Sequence, residues 1–87
     1  MDLQDFRRRI DETDDKLLQL FKERMDISRQ IALYKKEHGL SVFDAARERD
    51  KLAVMGEKAG DEFRPYVYRL YNLLFELSRD YQESVLT

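Results

Sequence analysis

The sequence predicts an all-α protein with a single domain spanning residues 1–87. Apolar residues recur at steps of three and four over most of the chain, which is the spacing of amphipathic helices. Gly39, Gly60 and Pro65 divide this pattern into three stretches, and no stretch alternates apolar and polar residues as a half-buried strand would. We therefore expect three helices, the first of them very long.

The first predicted helix runs from Leu3 to about Glu37 and contains no glycine or proline. At ~1.5 Å per residue it would be roughly 50 Å long, whereas a compact chain of this length is roughly 30 Å across. The other two helices are too short to cover its apolar stripe along the whole length. We therefore expect a partner chain, most simply a second copy that completes a homodimer.

The residues around Gly39 predict where the first helix ends and where the second begins. Lys35 and Lys36 suit the negative end of the first helix, and Gly39 suits a left-handed cap. Ser41 and Asp44 have the spacing of a capping box. This spacing predicts that a second helix opens at Ser41 and continues to about residue 58.

A loop over residues 60–65 leads to the third predicted helix, with Pro65 in its first turn. Apolar spacing predicts an inner stripe of Val67, Leu70, Leu74, Leu77 and Tyr81. Polar residues follow this stripe near the end of the chain, where a helix commonly frays.

Composition narrows the classes of partner and site. Lys and Arg number 16 against 18 Asp and Glu, and this balance argues against duplex nucleic acid or an anionic membrane as the main partner. The chain has no cysteine and one histidine, His38, which excludes thiolate zinc sites and most histidine metal sites. No apolar run approaches membrane-spanning length and the first residues do not resemble a signal peptide, so we expect a cytoplasmic protein.

Arg24 occupies a seam position of the first helix where an apolar residue would be expected. The seam advances in unbroken steps of three and four: Leu3, Phe6, Ile10, Thr13, Leu17, Leu20, Arg24, Ile27, Ile31 and Tyr34. A guanidinium removed from water needs an anion, and no carboxylate shares its stripe nearby. The anion is either a ligand or a carboxylate of another helix, unless Arg24 is a polar residue that fixes the register of a helix pair.

Six further polar residues are candidates for the same site as Arg24, because of the helix faces on which they lie. They are Lys35 on the face of Arg24; Asp44, Arg47 and Glu48 at the start of the second helix; and Ser78 with Gln82, one turn apart on the third. Each group also has an ordinary structural interpretation, as a solvated lysine, a helix cap with charged surface, or a fraying last turn. Arg49, Asp50 and Lys51 are assigned to the solvated surface.

Arg7 can belong to the same site as Arg24 only if two chains combine. It precedes Arg24 by 17 residues, or ~26 Å along a straight helix, too far for one small molecule to contact both. In a two-fold dimer with antiparallel long helices, the first turns of one chain would reach the site of the other. The alternative is that Arg7, like the adjacent Arg8 and Arg9, is an ordinary solvated arginine, which is the default for basic residues.

These residues are better suited to binding than to nucleophilic attack. The set contains no nucleophile paired with a base, no metal cage and no glycine-rich phosphate loop. Fixed cations can bind a dicarboxylate, carboxylates can accept from a hydroxyl, and Lys35 with Gln82 can stabilise negative charge developing on an oxygen. A unimolecular rearrangement requires little more, because it proceeds once a flexible ligand is held in its reactive shape.

The same residues resemble those of a known family. The segments are Phe6-Arg7-Arg8-Arg9-Ile10, Glu23-Arg24, Lys35, Val42-x-Asp44-x-x-Arg47-Glu48 and Ser78-x-x-x-Gln82, spread over almost the whole chain. Their order and spacing resemble the all-helical class of chorismate mutase. The resemblance implies an intertwined homodimer with two equivalent sites. It also implies conversion of chorismate to prephenate on the path to phenylalanine and tyrosine, without a cofactor or metal.

The resemblance further implies roles at the carboxylates and the ether oxygen of chorismate. Arg7 of one subunit and Arg24 of the other would bind substrate carboxylates. Lys35 would contact a carboxylate and the ether oxygen, and Gln82 would donate to that same oxygen.

The remaining roles concern the ring. Glu48, with Asp44, would accept a hydrogen bond from the ring hydroxyl. Arg47 and Ser78 would complete the carboxylate and ring contacts. The residues then expected to act in catalysis are Lys35, Gln82, Arg24 and Glu48.

Two other functions compete with this interpretation. A lyase on the same scaffold would release pyruvate from isochorismate, although retention of Asp44-x-x-Arg47-Glu48 favours the mutase. A non-catalytic helical module would use its charged seam residues to specify a partner, or would bind chorismate only as a regulatory ligand. Binding and turnover of chorismate separate these alternatives.

Overall fold

The computed structural model describes all residues 1–87 and consists of three helices: α1 (Leu3–Glu37), α2 (Ala45–Ala59) and α3 (Arg64–Leu86). None of them combines the length and apolar character required to span a membrane. Pro65 lies in the first turn of α3, as predicted. Because α3 packs against both α1 and α2, which do not pack against each other, α3 is the central element of an all-α chain.

Local hydrogen bonds fix both ends of α1. At the first turn, the backbone N–H of Asp5 donates to Asp2 at 3.0 Å and that of Asp2 donates to the Asp5 carboxylate at 3.1 Å, which is a reciprocal capping box. At the other end, Gly39 adopts a φ of 66°, and the N–H of Leu40 donates to the carbonyl of Lys35 at 2.8 Å. The predicted end of the helix at Glu37 is confirmed.

The second helix begins later than predicted. Ser41 does not cap it, since its hydroxyl donates to the carbonyl of Phe43 at 3.1 Å. Asp44 is the N-cap instead, and its Oδ1 accepts from the N–H of Arg47 at 3.0 Å. The capping box at Ser41 is therefore wrong. A charged carboxylate is the stronger acceptor at the positive end of a helix, which favours Asp44.

The inner face of α3 differs from the predicted stripe. Phe75 and Gln82 are the buried residues of this helix, whereas Leu70 remains 48% exposed. The other predicted residues, Val67, Leu74, Leu77 and Tyr81, are half-buried. Apolar residues cover most of the circumference of α3, so spacing alone did not decide which stripe meets α1.

The single chain has almost no core. Only five of its 87 residues are buried, and its radius of gyration is 16.0 Å, compared with about 12 Å for a compact domain of this length. Its accessible surface of 7107 Å² exceeds by about a third the roughly 5,400 Å² expected of a compact monomer. Leu3, Phe6, Ile10, Leu17, Leu20 and Ile27 of the α1 seam are each at least 49% exposed. The seam is therefore uncovered in one chain.

Gly56 allows α2 and α3 to approach closely. It is buried within α2, and a methyl group there would overlap the ring of Tyr68 on α3. Arg64 reinforces the contact, because its Nε donates to the carbonyl of Gly56 at 3.2 Å. The absence of a side chain at Gly56 thus leaves room for the Tyr68 ring between α2 and α3, the two helices that carry much of the site described below.

Replacing Gly56 with alanine is expected to lower the free energy of unfolding by about 1 kcal/mol, because displacement of the Tyr68 ring outweighs the ~1 kcal/mol gain in helix propensity. In a Tyr68→Ala background the overlap is absent, and the same substitution should stabilise. Urea unfolding of the four proteins at one concentration measures both effects. Equal effects of Gly56→Ala in both backgrounds would show that Tyr68 does not set this contact.

Candidate active site

A cavity of about 590 Å³ is bounded by α1, α2, α3 and the linker between α1 and α2. This volume lies within the roughly 300–1,000 Å³ of typical small-molecule sites. The lining residues are Arg24, Ile27, Ser28, Ile31, Lys35, Val42, Asp44, Arg47, Glu48, Lys51, Phe75, Ser78, Arg79 and Gln82. Seven of the eight site residues predicted from the sequence, all except Arg7, therefore lie around one cavity.

The cavity lining is positively charged. Its cationic side chains are Arg24, Lys35, Arg47, Lys51 and Arg79, against the two carboxylates of Asp44 and Glu48. The chain as a whole has a net charge of −2, so positive charge is concentrated at this place. Such an excess in a partly enclosed cavity favours a ligand with more than one negative group.

Arg24 has no carboxylate partner within the chain. None of the ion pairs involves it, and its guanidinium carbon lies 5.9 Å from the centre of the Tyr71 ring. The face of an aromatic ring stabilises a cation without neutralising it. An ion pair to another helix of the same chain is therefore excluded, and the guanidinium donors remain available to a ligand.

The Lys35 ammonium is held near the C-terminal end of α1, on the helix face that carries Arg24. Its Nζ donates to the carbonyl of Val42 in the linker at 2.9 Å, and the residue is half-buried rather than solvated. An ammonium has three N–H groups, so two remain for a ligand. The hydrogen bond fixes the position of the ammonium before any ligand binds.

Ser28, Ser78 and Gln82 form a short hydrogen-bonded chain between α1 and α3. The two serine hydroxyls lie 2.7 Å apart, and Nε2 of Gln82 donates to the Ser78 hydroxyl at 3.0 Å. Gln82 is 6% exposed, so the interpretation of this region as a fraying turn is wrong. Its Oε1 is buried without a partner. A half-turn of the amide would let Oε1 accept from Ser78 and would place the amide N–H groups at the position that now has no partner.

The first two turns of α2 supply the carboxylates. Asp44 is the N-cap, and Glu48 is half-buried with both carboxylate oxygens 2.5 Å from one guanidinium nitrogen of Arg79 on α3. This hydrogen bond raises the pKa of the Arg79 guanidinium above its ordinary value, since the Glu48 carboxylate stabilises the charged form. Arg47 forms no ion pair.

Sequence reasoning missed two charged residues of this cavity. The prediction that Lys51 lies on the solvated surface is wrong, because it lies one turn after Glu48 on the face that lines the cavity. Arg79 was not identified at all. Its position four residues after Phe75 and three before Gln82 places it on the buried side of α3, and that spacing was the available signal.

Arg7 does not reach the cavity of its own chain. It is exposed and lies on the same continuous helix as Arg24, about 26 Å away at the standard rise per residue. The expectation that one chain cannot bring both to one small molecule agrees with this geometry. Entry of Arg7 into the site of a second copy stays a prediction.

Comparison with known proteins identifies the family. The chain matches the family model described as chorismate mutase type II over residues 6–83, a range that includes every candidate residue named above. Comparisons with curated proteins and with solved structures gave no significant match. The matched range covers most of the chain, and the all-helical architecture agrees with it. The protein belongs to the chorismate mutase type II family, a family of isomerases of aromatic amino acid biosynthesis.

Proposed function

We propose that the protein catalyses the unimolecular [3,3] rearrangement of chorismate to prephenate in a homodimer with two equivalent sites. The observation that supports this most strongly is the convergence of seven predicted residues on one positively charged cavity. Chorismate offers two carboxylates, a ring hydroxyl and an ether oxygen. The cavity offers unpaired cations, carboxylates and a buried amide that can bind these groups.

The reaction requires little from the protein beyond shape and charge. The ether C–O bond breaks while a C–C bond forms within the same molecule, so no proton donor, nucleophile or co-substrate takes part. Holding the flexible side chain over the ring brings the two reacting carbons together. Such restriction is worth up to roughly 7–11 kcal/mol in the best intramolecular reactions.

Charge stabilisation at the ether oxygen is assigned to Lys35 and Gln82. Negative charge grows on this oxygen as the C–O bond lengthens, and preorganised donors stabilise it without reorganising. The bond from Lys35 to Val42 preorganises the ammonium, and burial of Gln82 preorganises the amide. Arg24, together with Arg7 of the partner subunit, binds the substrate carboxylates.

The polar side of the ring meets α2 and α3. Glu48, with Asp44, accepts from the ring hydroxyl, while Arg47 and Ser78 complete the carboxylate and ring contacts. All four line the cavity, and their places on the first two turns of α2 and on α3 allow them to surround one small ring.

The homodimer is supported by what a single chain leaves uncovered. The apolar seam of α1 is exposed along its length, and the chain measures 55 × 27 × 14 Å, too thin to enclose a core. A second copy related by a two-fold axis buries the same seam on both chains. In that arrangement the first two turns of α1, which include Arg7, reach the second copy.

The proposed function is tested by following chorismate loss with protein purified from a host that lacks its own mutase. We expect stoichiometric prephenate and an acceleration of about 10⁶-fold over buffer, at the low end of enzyme rate enhancements. Isochorismate in a parallel reaction should release no pyruvate. Chorismate loss no faster than in buffer would contradict the proposal, and pyruvate release from isochorismate would favour the lyase.

A further inference from the structure

Arg79 differs from the other cations of the cavity because it is paired. One of its guanidinium nitrogens lies 2.5 Å from both carboxylate oxygens of Glu48, which is 31 residues earlier in the chain and on a different helix. Arg24, Lys35, Arg47 and Lys51 take part in no ion pair. The Arg79 and Glu48 side chains are 32% and 24% exposed, so the pair is partly shielded from water.

A second contact orients the same guanidinium. Its carbon lies 5.1 Å from the centre of the Phe43 ring, in the linker whose neighbouring Val42 accepts from Lys35. Arg79 therefore connects three parts of the cavity wall: α3, which carries it; α2, through Glu48; and the linker, through Phe43. A side chain held from two directions has few alternative positions, and so has the carboxylate bound to it.

Charge explains why Glu48 requires such a partner. A carboxylate facing a ligand with two negative groups repels it, and the repulsion is larger in a site from which water is partly excluded. A carboxylate paired with a guanidinium is locally neutral. It still has unused lone pairs, because an ionised carboxylate has about four acceptor positions and Arg79 occupies two.

We propose that Arg79 is a positioning residue that neutralises and orients Glu48, so that this carboxylate can accept a hydrogen bond from the substrate ring hydroxyl beside a dianionic substrate. This inference rests on the proposed function. Arg79 acts through Glu48 and does not contact the substrate. A direct role as one more carboxylate-binding cation is the alternative, and the two roles predict different results when Glu48 is altered.

The test is a double-mutant cycle with Arg79→Ala, Glu48→Gln and the double variant, measured as kcat and KM for chorismate. We expect Arg79→Ala to lower kcat/KM by about 30- to 100-fold, at the low end of the range for removal of one member of a hydrogen-bonded charge pair. In the Glu48→Gln background the same change should have less than about a twofold effect, because no carboxylate remains to be neutralised.

Two further variants separate positioning from folding. Arg79→Lys should recover part of the activity lost in Arg79→Ala, since a single nitrogen of Arg79 contacts both Glu48 oxygens and an ammonium can replace it, although the stack on Phe43 is lost. Arg69→Ala removes an exposed, unpaired arginine from the same helix and should leave kcat and KM unchanged. Multiplicative losses in the cycle, or full activity of Arg79→Ala, would overturn the positioning role. A wild-type protein that does not turn over chorismate would instead contradict the proposed function itself.

Discussion

Replacing Lys35 with alanine is expected to lower kcat for chorismate rearrangement by about 10²–10³-fold, the usual effect of removing one preorganised donor from a developing negative charge. The ammonium is fixed by the Val42 carbonyl and has two N–H groups left for the substrate. Because charge on the ether oxygen grows during the reaction, Lys35 stabilises the transition state more than bound chorismate. KM should therefore rise less than kcat falls.

The matched control for this variant is Lys36→Ala. Lys36 is the next residue of α1, is exposed and forms no side-chain hydrogen bond or ion pair. Both variants remove one positive charge from the last turn of the helix, so their effects on helix stability should be similar. Steady-state kinetics and thermal unfolding of the two proteins separate catalysis from folding. Equal kcat values for Lys35→Ala and Lys36→Ala would remove Lys35 from the mechanism.

Local chemistry explains which parts of the fold were predictable. The end of α1 depends on Gly39 and the residues beside it, and the start of α3 depends on Pro65, so neighbouring residues alone determine both. The start of α2 was misjudged because Ser41 and Asp44 are both good caps. The choice between them depends on how the linker packs, which spacing does not contain.

The candidate site likewise contains some features that the local sequence predicts and others that it does not. Arg24 was identifiable because a guanidinium in an apolar seam conflicts with local preference, and such conflicts mark functional positions. The pairing of Arg79 with Glu48 joins residues that are 31 apart, and no spacing rule within one helix links them. Likewise, the buried face of α3 depends on how that helix meets α1 and α2. Contacts between helices were therefore missed, and so was Lys51, although its spacing of one turn from Glu48 is visible in the sequence.

Complementation between two inactive variants is, after the loss in Lys35→Ala, the second prediction with a large expected effect. In a heterodimer, the Arg7→Ala subunit still has Lys35, and the Lys35→Ala subunit still has Arg7. These two intact residues meet in one of the two sites. The other site carries both substitutions. Purified heterodimer, isolated with two different affinity tags, should therefore recover about half of the wild-type kcat per dimer, although each parent homodimer is nearly inactive.

A heterodimer of Lys35→Ala with Gln82→Ala is the control. Both residues line the same cavity of one chain, so each of its sites retains one defect and no activity should return.

The rate of chorismate loss by the two purified heterodimers tests most directly whether two copies of the chain build each site. Recovery of about half the wild-type rate with Arg7→Ala and Lys35→Ala, and none with the control pair, is the predicted result. A rate for the first heterodimer no greater than that of its parents would contradict a site shared between subunits.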